Sequence, residues 1–478
     1  MSTQGNRDYR PACHYAPPFG WINDPNGLTY ENGTWHLFAQ HNPDAAHWGP
    51  MHWRHATSED LLHWKDEGIV LYPDEELGWI FSGSAVIDRG NTSGLGKDGD
   101  PMVLIYTHHG REHEQQSIAF SDDRMNFTPY AGNPVIPNAE KKNFRDPKVF
   151  RNDILDCWTM ILAAGDRVEF YASKDLIHWR QTGDFGAAEN RLNGVFECPD
   201  LLPLTAPDGS TVWVLIASMS LPRPFGGHRM QYFLGQFDGE TFRETLPSPY
   251  PRMLDSGYDD YAAVTFFGAD KPLLLGWGAA WAYAHFEPTN EFCGIMTYAR
   301  ELSLVETETG LALAQKPVTP GFDLAELPTR MVPEPPPSPL FANLPPRYSP
   351  ESEGELPGEL FHVRVEAPGS FTLTLSNDDG EALRVTLTGE QCLVVDRTQA
   401  GRRGFSPLYD AGLFSVMSAR RTAYGPATVD LYFDRMIAEI FTDGGTVVNS
   451  TAVFPEKPYT RAKLQGEGRL WIGGPKAN

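Results

Sequence analysis

The 478-residue sequence contains only five cysteines, and they are scattered along the chain. No CxxC spacing occurs among them, so neither a disulfide framework nor a zinc site is indicated. No run of about 18 apolar residues is present, which predicts that no helix crosses a membrane. The amino terminus also lacks the apolar core of a signal peptide, so we expect a cytoplasmic protein, or a secreted one if the sequence has been shortened.

Positive charge is scarce. Lys and Arg number 39 against 62 Asp and Glu, which gives a formal net charge of −23. Nucleic acids and anionic membranes are bound by cationic patches, so neither is expected as a partner.

Long periodic helices are missing too, whereas short β-like runs bounded by turn residues are frequent. Examples are Met102–Thr107 (MVLIYT), Trp158–Ala163 (WTMILA) and Val212–Ala217 (VWVLIA). With 45 Gly, 40 Pro and 12% aromatic residues, the pattern predicts an all-β protein. The aromatic residues fit β cores, and they also fit a protein that stacks sugar rings on aromatic faces.

A degenerate repeat runs through the first half of the chain. Its copies are Ala56–Trp64 (ATSEDLLHW), Ala119–Phe127 (AFSDDRMNF), Tyr171–Trp179 (YASKDLIHW) and, more faintly, Gly235–Phe242 (GQFDGETF). Each copy has the end of a strand, an acidic turn and an aromatic residue. The spacing suits one four-stranded propeller blade per copy, and a closing blade would make five. Coincidental hairpin turns are the alternative.

The composition changes within Lys316–Pro357, which is rich in proline. Proline at this density disfavours helices and central strands and predicts a linker. Alternating short strands follow, as in Ser370–Asn377 (SFTLTLSN), and indicate a β-sandwich. The expected organisation is a five-bladed β-propeller over residues 1–316, a Pro-rich linker over 317–357 and a C-terminal β-sandwich over 358–478.

Three acidic residues stand in distinctive contexts. Asp24 lies in the tight turn of Trp21–Gly27 (WINDPNG), where Asn23 can hold its carboxylate. Asp146 lies in Phe144–Phe150 (FRDPKVF), and the cations beside it predict a low pKa. An Asx turn explains the first context equally well, and a surface ion pair explains the second.

Glu197 is the third acidic residue, within Val195–Leu201 (VFECPDL). Its apolar neighbours Val195, Phe196 and Leu201 could desolvate it and raise its pKa, as a general acid requires. An ordinary exposed or hydrogen-bonded glutamate is the alternative.

Taken in order, these three segments resemble the motifs of glycoside hydrolase family 32, which contains invertases, levanases, exo-inulinases and sucrose-6-phosphate hydrolases. The resemblance implies a nucleophile at Asp24, a transition-state stabiliser at Asp146 with Arg145 assisting, and an acid/base at Glu197. It also implies a five-bladed propeller with a carboxy-terminal sandwich and a reaction that uses neither a metal nor an organic cofactor.

Further segments similar to family motifs imply a set of substrate-binding residues. They are Phe81–Val86 (FSGSAV), Phe38–Pro43 (FAQHNP), Trp48–Trp53 (WGPMHW), Asp255–Ala262 (DSGYDDYA) and Gly276–Trp281 (GWGAAW). The residues implied are Asn23, Gln40, Trp48, Phe81, Ser82, Arg145, Asp259 and Trp281.

The expected function is that of a retaining β-fructofuranosidase acting on the terminal fructose of sucrose, fructo-oligosaccharides or fructans. Met160–Ser173 (MILAAGDRVEFYAS) looks more like the levanase and exo-inulinase branch than the phosphate-specific branch. Sucrose-6-phosphate hydrolysis, fructosyl transfer and non-catalytic fructan binding stay open as alternatives, as does a homo-oligomer formed through the sandwich.

Overall fold

The computed structural model describes residues 7–190, 192–221, 227–334 and 347–476. These residues divide into two compact units. One is His14–Leu304, and the other joins the residues up to Cys13 to those from Val305 onward. Strands make up almost all regular structure in both units, as the sequence predicts.

The described residues between Gly20 and Pro317 form a succession of antiparallel sheets, each built from strands that follow one another along the chain. The first strands of the five sheets contact one another in a closed ring, so the sheets are the five blades of a propeller. The first blade consists of Gly20–Glu31, Thr34–Asn42, His52–Ser58 and Trp64–Leu71, and the second of Trp79–Ile87, Met102–His109, Glu114–Ser121 and Thr128–Pro129. The third consists of Phe144–Asn152, Cys157–Ala164, Val168–Ser173 and Arg180–Phe185, and the fourth of Val195–Thr205, Thr211–Ser220, His228–Phe237 and Phe242–Glu244. The fifth consists of Tyr261–Thr265, Leu273–Trp277, Arg300–Thr307 and Gly310–Pro317.

Two short strands extend these sheets. Phe292–Cys293 pairs in parallel with the first strand of the first blade, and Arg252–Met253 pairs with His228–Phe237. A short 3-10 helix, Ala284–Phe286, lies between the strands of the fifth blade. The boundary between the two units falls inside the strand Arg300–Thr307.

All four copies of the repeat lie at the same place, the turn between the third and fourth strands of blades one to four. In each copy one aspartate accepts the backbone N–H groups of the residues two and three positions later. These aspartates are Asp60, Asp123, Asp175 and Asp238. The repeat is therefore an Asx turn that closes the outer hairpin of each blade, and the prediction of blades is confirmed.

The second unit consists mainly of two sheets. One has six strands in the order Phe322–Glu326, Arg469–Pro475, Leu360–Ala367, Ala427–Asp434, Ile437–Thr442 and Val447–Ala452. The other has seven in the order Thr329–Pro333, Tyr348–Glu355, Arg461–Gly466, Phe371–Ser376, Ala382–Leu387, Cys392–Gln399 and Val416–Arg420. Two one-turn helices, Pro407–Asp410 and Gly412–Ser415, and a 3-10 turn, Asp443–Gly445, complete the described elements.

The side-chain patterns of the two units differ for a physical reason. Buried and half-buried residues alternate along Phe371–Ser376, because one face of a sandwich sheet meets the core and the other meets solvent. Met102–His109 is buried along almost its whole length, because a blade packs against neighbouring blades on both faces.

The Pro-rich segment is not free of strands, so that expectation is wrong where the segment is described. Phe322–Glu326, Thr329–Pro333 and Tyr348–Glu355 all belong to sheets, and residues 335–346 lie outside the described part. Pro350 pairs only with the strand on one side, and pairing on the other side begins at Glu351. A proline can occupy such a position because one of its neighbouring ladders is absent there.

The first described residues also depart from the prediction, since residues up to Cys13 group with the second unit instead of the propeller. The backbone N–H groups of Ala12 and Cys13 donate to the carboxylate of Asp434, each at 2.8 Å. The hydroxyl of Tyr9 donates to the carbonyl of Phe454 at 3.2 Å. Such long-range contacts leave no periodic pattern in the sequence.

Candidate active site

The innermost strand of every blade is interrupted by a bulge at an equivalent position. The register shifts lie between Ile22 and Pro25, Ile80 and Gly83, Arg145 and Lys148, Glu197 and Asp200, and Tyr261 and Val264. A bulge redirects the side chains at its centre, which is why bulges recur beside active sites. The five bulges therefore turn side chains from five separate blades towards one axis.

Two rings of residues result. The outer ring, which lines a cavity of about 430 Å³, is Asn23, Phe81, Arg145, Glu197 and Tyr261. The inner ring, one residue further along each strand, is Asp24, Ser82, Asp146, Cys198 and Ala262. Three inner-ring residues, Asp146, Cys198 and Ala262, adopt positive φ values of 67°, 42° and 54°. Such strain in residues other than glycine is typical of functional sites.

Asp24 lies on the cavity wall and is only 8% exposed. Its carboxylate accepts hydrogen bonds from the amides of Asn23 at 3.0 Å and Gln40 at 3.2 Å, and from the hydroxyl of Ser82. Burial raises the pKa of Asp24, while the bonds from Ser82 and Asn23 oppose that rise. Its carboxylate is thus held in a fixed orientation by neutral donors.

The thiol of Cys198 links Asp24 to Asp146. Its sulfur lies 3.4 Å from Asp24 Oδ2 and 3.6 Å from Asp146 Oδ2, and its backbone N–H donates to Asp146 at 3.0 Å. Burial raises the pKa of Cys198 well above its ordinary value, and both carboxylates reinforce the effect. The protonated thiol is therefore a donor between two carboxylates that come from different blades.

Asp146 differs from the expectation drawn from its sequence neighbours. Burial, together with Asp24 and Glu197, raises the pKa of Asp146 to about 7 although Arg145 lowers it. Lys148 does not contribute, because its ammonium group points to Asp200 at 3.1 Å. The prediction of a low pKa is thus wrong, since it took account of charge along the chain but not of burial.

Replacing Asp146 by Asn should raise stability at pH 8 while removing activity. Because the folded-state pKa lies above the unfolded value, the folded chain binds more protons between pH 4 and 7, and stability falls as pH rises through that window. Because Asn cannot ionise, this dependence of stability on pH disappears in the variant. The difference of about three units between the folded and unfolded pKa corresponds to at most about 4 kcal/mol in the free energy of unfolding. Thermal unfolding should show a higher midpoint for Asp146→Asn at pH 8 and no difference near pH 4. An equal difference in unfolding midpoint at both pH values would contradict the raised pKa assigned to Asp146.

Glu197 lies on the same cavity, with 18% of its side chain exposed. Its Oε1 accepts a hydrogen bond from Arg145 Nη2 at 2.6 Å, and its Oε2 accepts one from the hydroxyl of Tyr261. The expected apolar surround is wrong in detail. Phe196 packs into a core cluster, because adjacent residues of a strand face opposite sides, and Leu201, which follows the bulge between Glu197 and Asp200, packs into the same cluster.

Two groups of aromatic rings line the cavity. Trp48 contacts Phe81, with ring centroids 6.3 Å apart. Trp281 packs on Trp21 at 5.6 Å and lies 6.1 Å from the ring of His228. The predicted residues Gln40, Trp48, Phe81 and Trp281 thus lie on the cavity, and Ser82 lies behind Asp24 without lining it.

Asp259 is the predicted site residue that the structure keeps away from the cavity. It is fully buried and accepts a hydrogen bond from the hydroxyl of Tyr283 at 2.5 Å. The next aspartate, Asp260, pairs with Arg300 at 2.8 Å. The segment contributes Tyr261 to the cavity instead, so the assignment of substrate binding to Asp259 is corrected.

Several cavity residues were not expected from the sequence. Tyr261 belongs to the outer ring, and His109, Glu114, Asn143 and His228 also line the cavity. The five bulged strands provide a signal for Tyr261, since its position is equivalent to that of Glu197. No local pattern marks the others, because they reach the cavity from the second or third strands or from loops.

Within the described ranges, no group of three or more His, Cys, Asp or Glu side chains is arranged to hold a metal ion. The helices in that part of the chain are also too short to span a membrane. All five cysteines lie in the described part of the chain, where they form no disulfide bond, and four of them are buried.

Comparison with protein families gives two matches. The family model described as the glycosyl hydrolases family 32 N-terminal domain matches residues 14–317. The model described as the glycosyl hydrolases family 32 C terminal matches residues 353–470.

Individual proteins agree with these matches. A levanase of Bacillus subtilis (strain 168) is 38% identical, over 95% of this chain and 68% of its own length. The crystal structure of an exo-inulinase from Aspergillus awamori superposes with a TM-score of 0.86 at 29% identity, covering 99% of both chains. A fructofuranosidase from Schwanniomyces occidentalis, solved in complex with fructose, gives a TM-score of 0.84 at 27% identity with the same coverage.

Proposed function

Since the chain belongs to glycoside hydrolase family 32, we propose that it is a retaining β-fructofuranosidase that releases terminal fructose from sucrose and fructans. The observation that carries the proposal is the shared cavity of Asp24, Asp146 and Glu197. Glycoside hydrolysis with retention requires a nucleophilic carboxylate and an acid/base carboxyl group on either side of one bond.

In the first step, the carboxylate of Asp24 attacks C2 of the fructofuranosyl ring. Glu197 donates its proton to the departing glycosidic oxygen, so the C–O bond breaks as the ester to Asp24 forms. Positive charge develops on the ring in the transition state. The cavity holds several carboxyl groups but one guanidinium, that of Arg145, so its electrostatic environment favours that charge.

In the second step, the carboxylate of Glu197 removes a proton from water. The water oxygen attacks C2, the ester bond breaks and Asp24 returns to its carboxylate form. Two inversions at C2 give net retention. Asp146 and Arg145 hold the ring hydroxyls, and the aromatic walls built by Trp48, Phe81 and Trp281 contact the apolar parts of the sugar.

The shape of the cavity supports attack on chain ends. Because the inner-ring residues are all at most 8% exposed, we infer that they form the closed end of the cavity, which a terminal residue can enter and an internal residue of a polymer cannot pass through. Among the described residues that line the cavity, Arg145 is the one Lys or Arg, and it already pairs with Glu197 and Glu114. The described lining therefore offers a phosphate group no uncommitted Lys or Arg, which favours unphosphorylated substrates.

A hydrolysis panel tests the proposal. Sucrose, kestose, inulin and levan should all yield free fructose as the first product, and sucrose 6-phosphate should react more slowly than sucrose. Chromatography of early time points identifies the products. Absence of fructose release from every substrate would overturn the proposal, and short fructans as first products would indicate internal cleavage. Kestose formation at high sucrose would identify a transferase.

A further inference from the structure

Glu114 lines the cavity but has no part in the reaction steps above. It begins the third strand of the second blade, and its carboxylate reaches the third blade. Oε2 accepts the backbone N–H of Phe144 at 2.8 Å, and both oxygens lie 3.2 Å from Arg145 Nη1. Oε1 also lies 3.2 Å from Nδ1 of His109. Glu114 therefore fixes both the backbone before Arg145 and one arm of its guanidinium.

The guanidinium of Arg145 is shared among three carboxylates, and the third is Asp146, whose Oδ2 lies 3.8 Å from Nε. Nη2 donates to Glu197 at 2.6 Å, while Nη1 donates to Glu114 and to the amide oxygen of Asn143 at 2.9 Å. Although burial opposes it, the surrounding carboxylates raise the pKa of Arg145, so its charge is permanent. The positive charge that Glu197 experiences therefore depends on how strongly Glu114 engages the other arm.

We propose that Glu114 is a positioning residue that holds Arg145 and, by neutralising part of its charge, sets the alkaline limit of the activity that depends on Glu197. This inference rests on the proposed function, because it assigns Glu114 to the control of the acid/base. His109 is the modulator of Glu114, since it donates to the same carboxylate while its ring stacks on Phe81 at 4.1 Å.

The direction of the effect follows from the surrounding charges. The groups that face Glu114 are His109 and Arg145. The groups that act on Glu197 are Arg145, Tyr261, Asp24, Asp146 and Cys198. Neutralising Glu114 removes one negative neighbour and leaves Arg145 more positive towards Glu197. Both changes make the surroundings of Glu197 more positive, so activity that needs the acid should be lost at a lower pH.

The test is the pH dependence of kcat/KM for sucrose with the full chain. Glu114→Gln keeps the shape of the side chain but removes its charge. The alkaline limb of its pH profile should move to lower pH by about 0.5 to 1 unit, the size expected for the loss of one partly screened charge. Glu114→Asp keeps the charge, so its alkaline limb should lie close to that of the unaltered chain. His109→Phe keeps a ring over Phe81 but frees Glu114 for Arg145, so its limb should move up.

Glu31→Gln is the matched control. Glu31 and Glu114 both have 11% of the side chain exposed and both pair with an arginine, but Glu31 pairs with Arg124 and does not line the cavity. This variant should lose stability and keep the alkaline limb in place. If Glu114→Gln or His109→Phe lowers activity without moving the limb, the role of Glu114 is structural only and the inference fails. If the unaltered chain releases no fructose, the proposed function fails instead.

Discussion

An Asp24→Asn variant is expected to release fructose from sucrose on the order of 10⁴-fold more slowly than the unaltered chain. The amide has the same shape and can keep hydrogen bonds to Ser82 and Gln40, but it cannot form the ester at C2. Burial raises the pKa of Asp24, so a neutral side chain there removes an unfavourable buried charge. The loss should therefore appear in kcat, with KM little changed and thermal stability at pH 7 undiminished.

Asp88→Asn is the control for this variant. Asp88 is also fully buried in the propeller and accepts hydrogen bonds from the backbone and hydroxyl groups of Thr92 and Ser93. Its replacement should lower the unfolding temperature and leave kcat unchanged. If Asp24→Asn retained more than about a tenth of the activity, Asp24 would not be the nucleophile, because nucleophile removal normally costs several orders of magnitude.

A Glu197→Gln variant should show a loss that depends on the leaving group. General acid catalysis contributes roughly 10² to 10⁴-fold, and its contribution shrinks as the leaving group becomes more acidic. Sucrose hydrolysis should fall by about that range, whereas a fructoside with a nitrophenol leaving group should lose less in its first step. Steady-state and burst kinetics with both substrates separate the two steps, since the second step also needs Glu197 as base.

Glu169→Gln supplies a closely matched control. Glu169 accepts hydrogen bonds from the ammonium of Lys141 at 2.7 Å and the hydroxyl of Tyr171 at 2.6 Å, much as Glu197 does from Arg145 and Tyr261, but it does not line the cavity. This variant should keep its activity on both substrates. Equal losses on the two substrates for Glu197→Gln would show that Glu197 does not protonate the leaving group.

The fold could be predicted from the sequence because local rules generate it. The acidic turns recur once in each of the first four blades, and each is closed by one aspartate that accepts hydrogen bonds from the backbone of the next few residues. The alternation of apolar and polar residues in strands such as Phe371–Ser376 likewise indicates a sheet with one buried face. What local rules missed are long-range contacts, such as those between Asp434 and the backbone of Ala12 and Cys13.

The site was predicted only in part, because a local segment shows its own residues but not its relation to distant strands. The three acidic residues lie in recognisable segments, and the structure brings them to one cavity. The similarity of the five bulged strands was missed, because Asp24, Ser82, Asp146, Cys198 and Ala262 share almost no chemistry although each lies within the bulge of its innermost strand.

The electrostatic expectations were the least accurate part of the sequence analysis. The low pKa expected for Asp146 left out burial, which outweighs the effect of Arg145. The apolar surround expected for Glu197 left out that adjacent residues of a strand face opposite sides, and its partners Arg145 and Tyr261 come from other blades. The cytoplasmic location and an oligomer formed through the sandwich stay predictions.

The central claim is that side chains from separate blades surround one terminal fructose and act on one bond. A crystal structure of the Asp24→Asn variant with kestose tests it most directly. We expect fructose C2 within about 3.5 Å of the residue 24 side chain and the glycosidic oxygen within about 3.2 Å of Glu197. A sugar bound outside this cavity, or bound within it with the scissile bond away from either residue, would contradict the account.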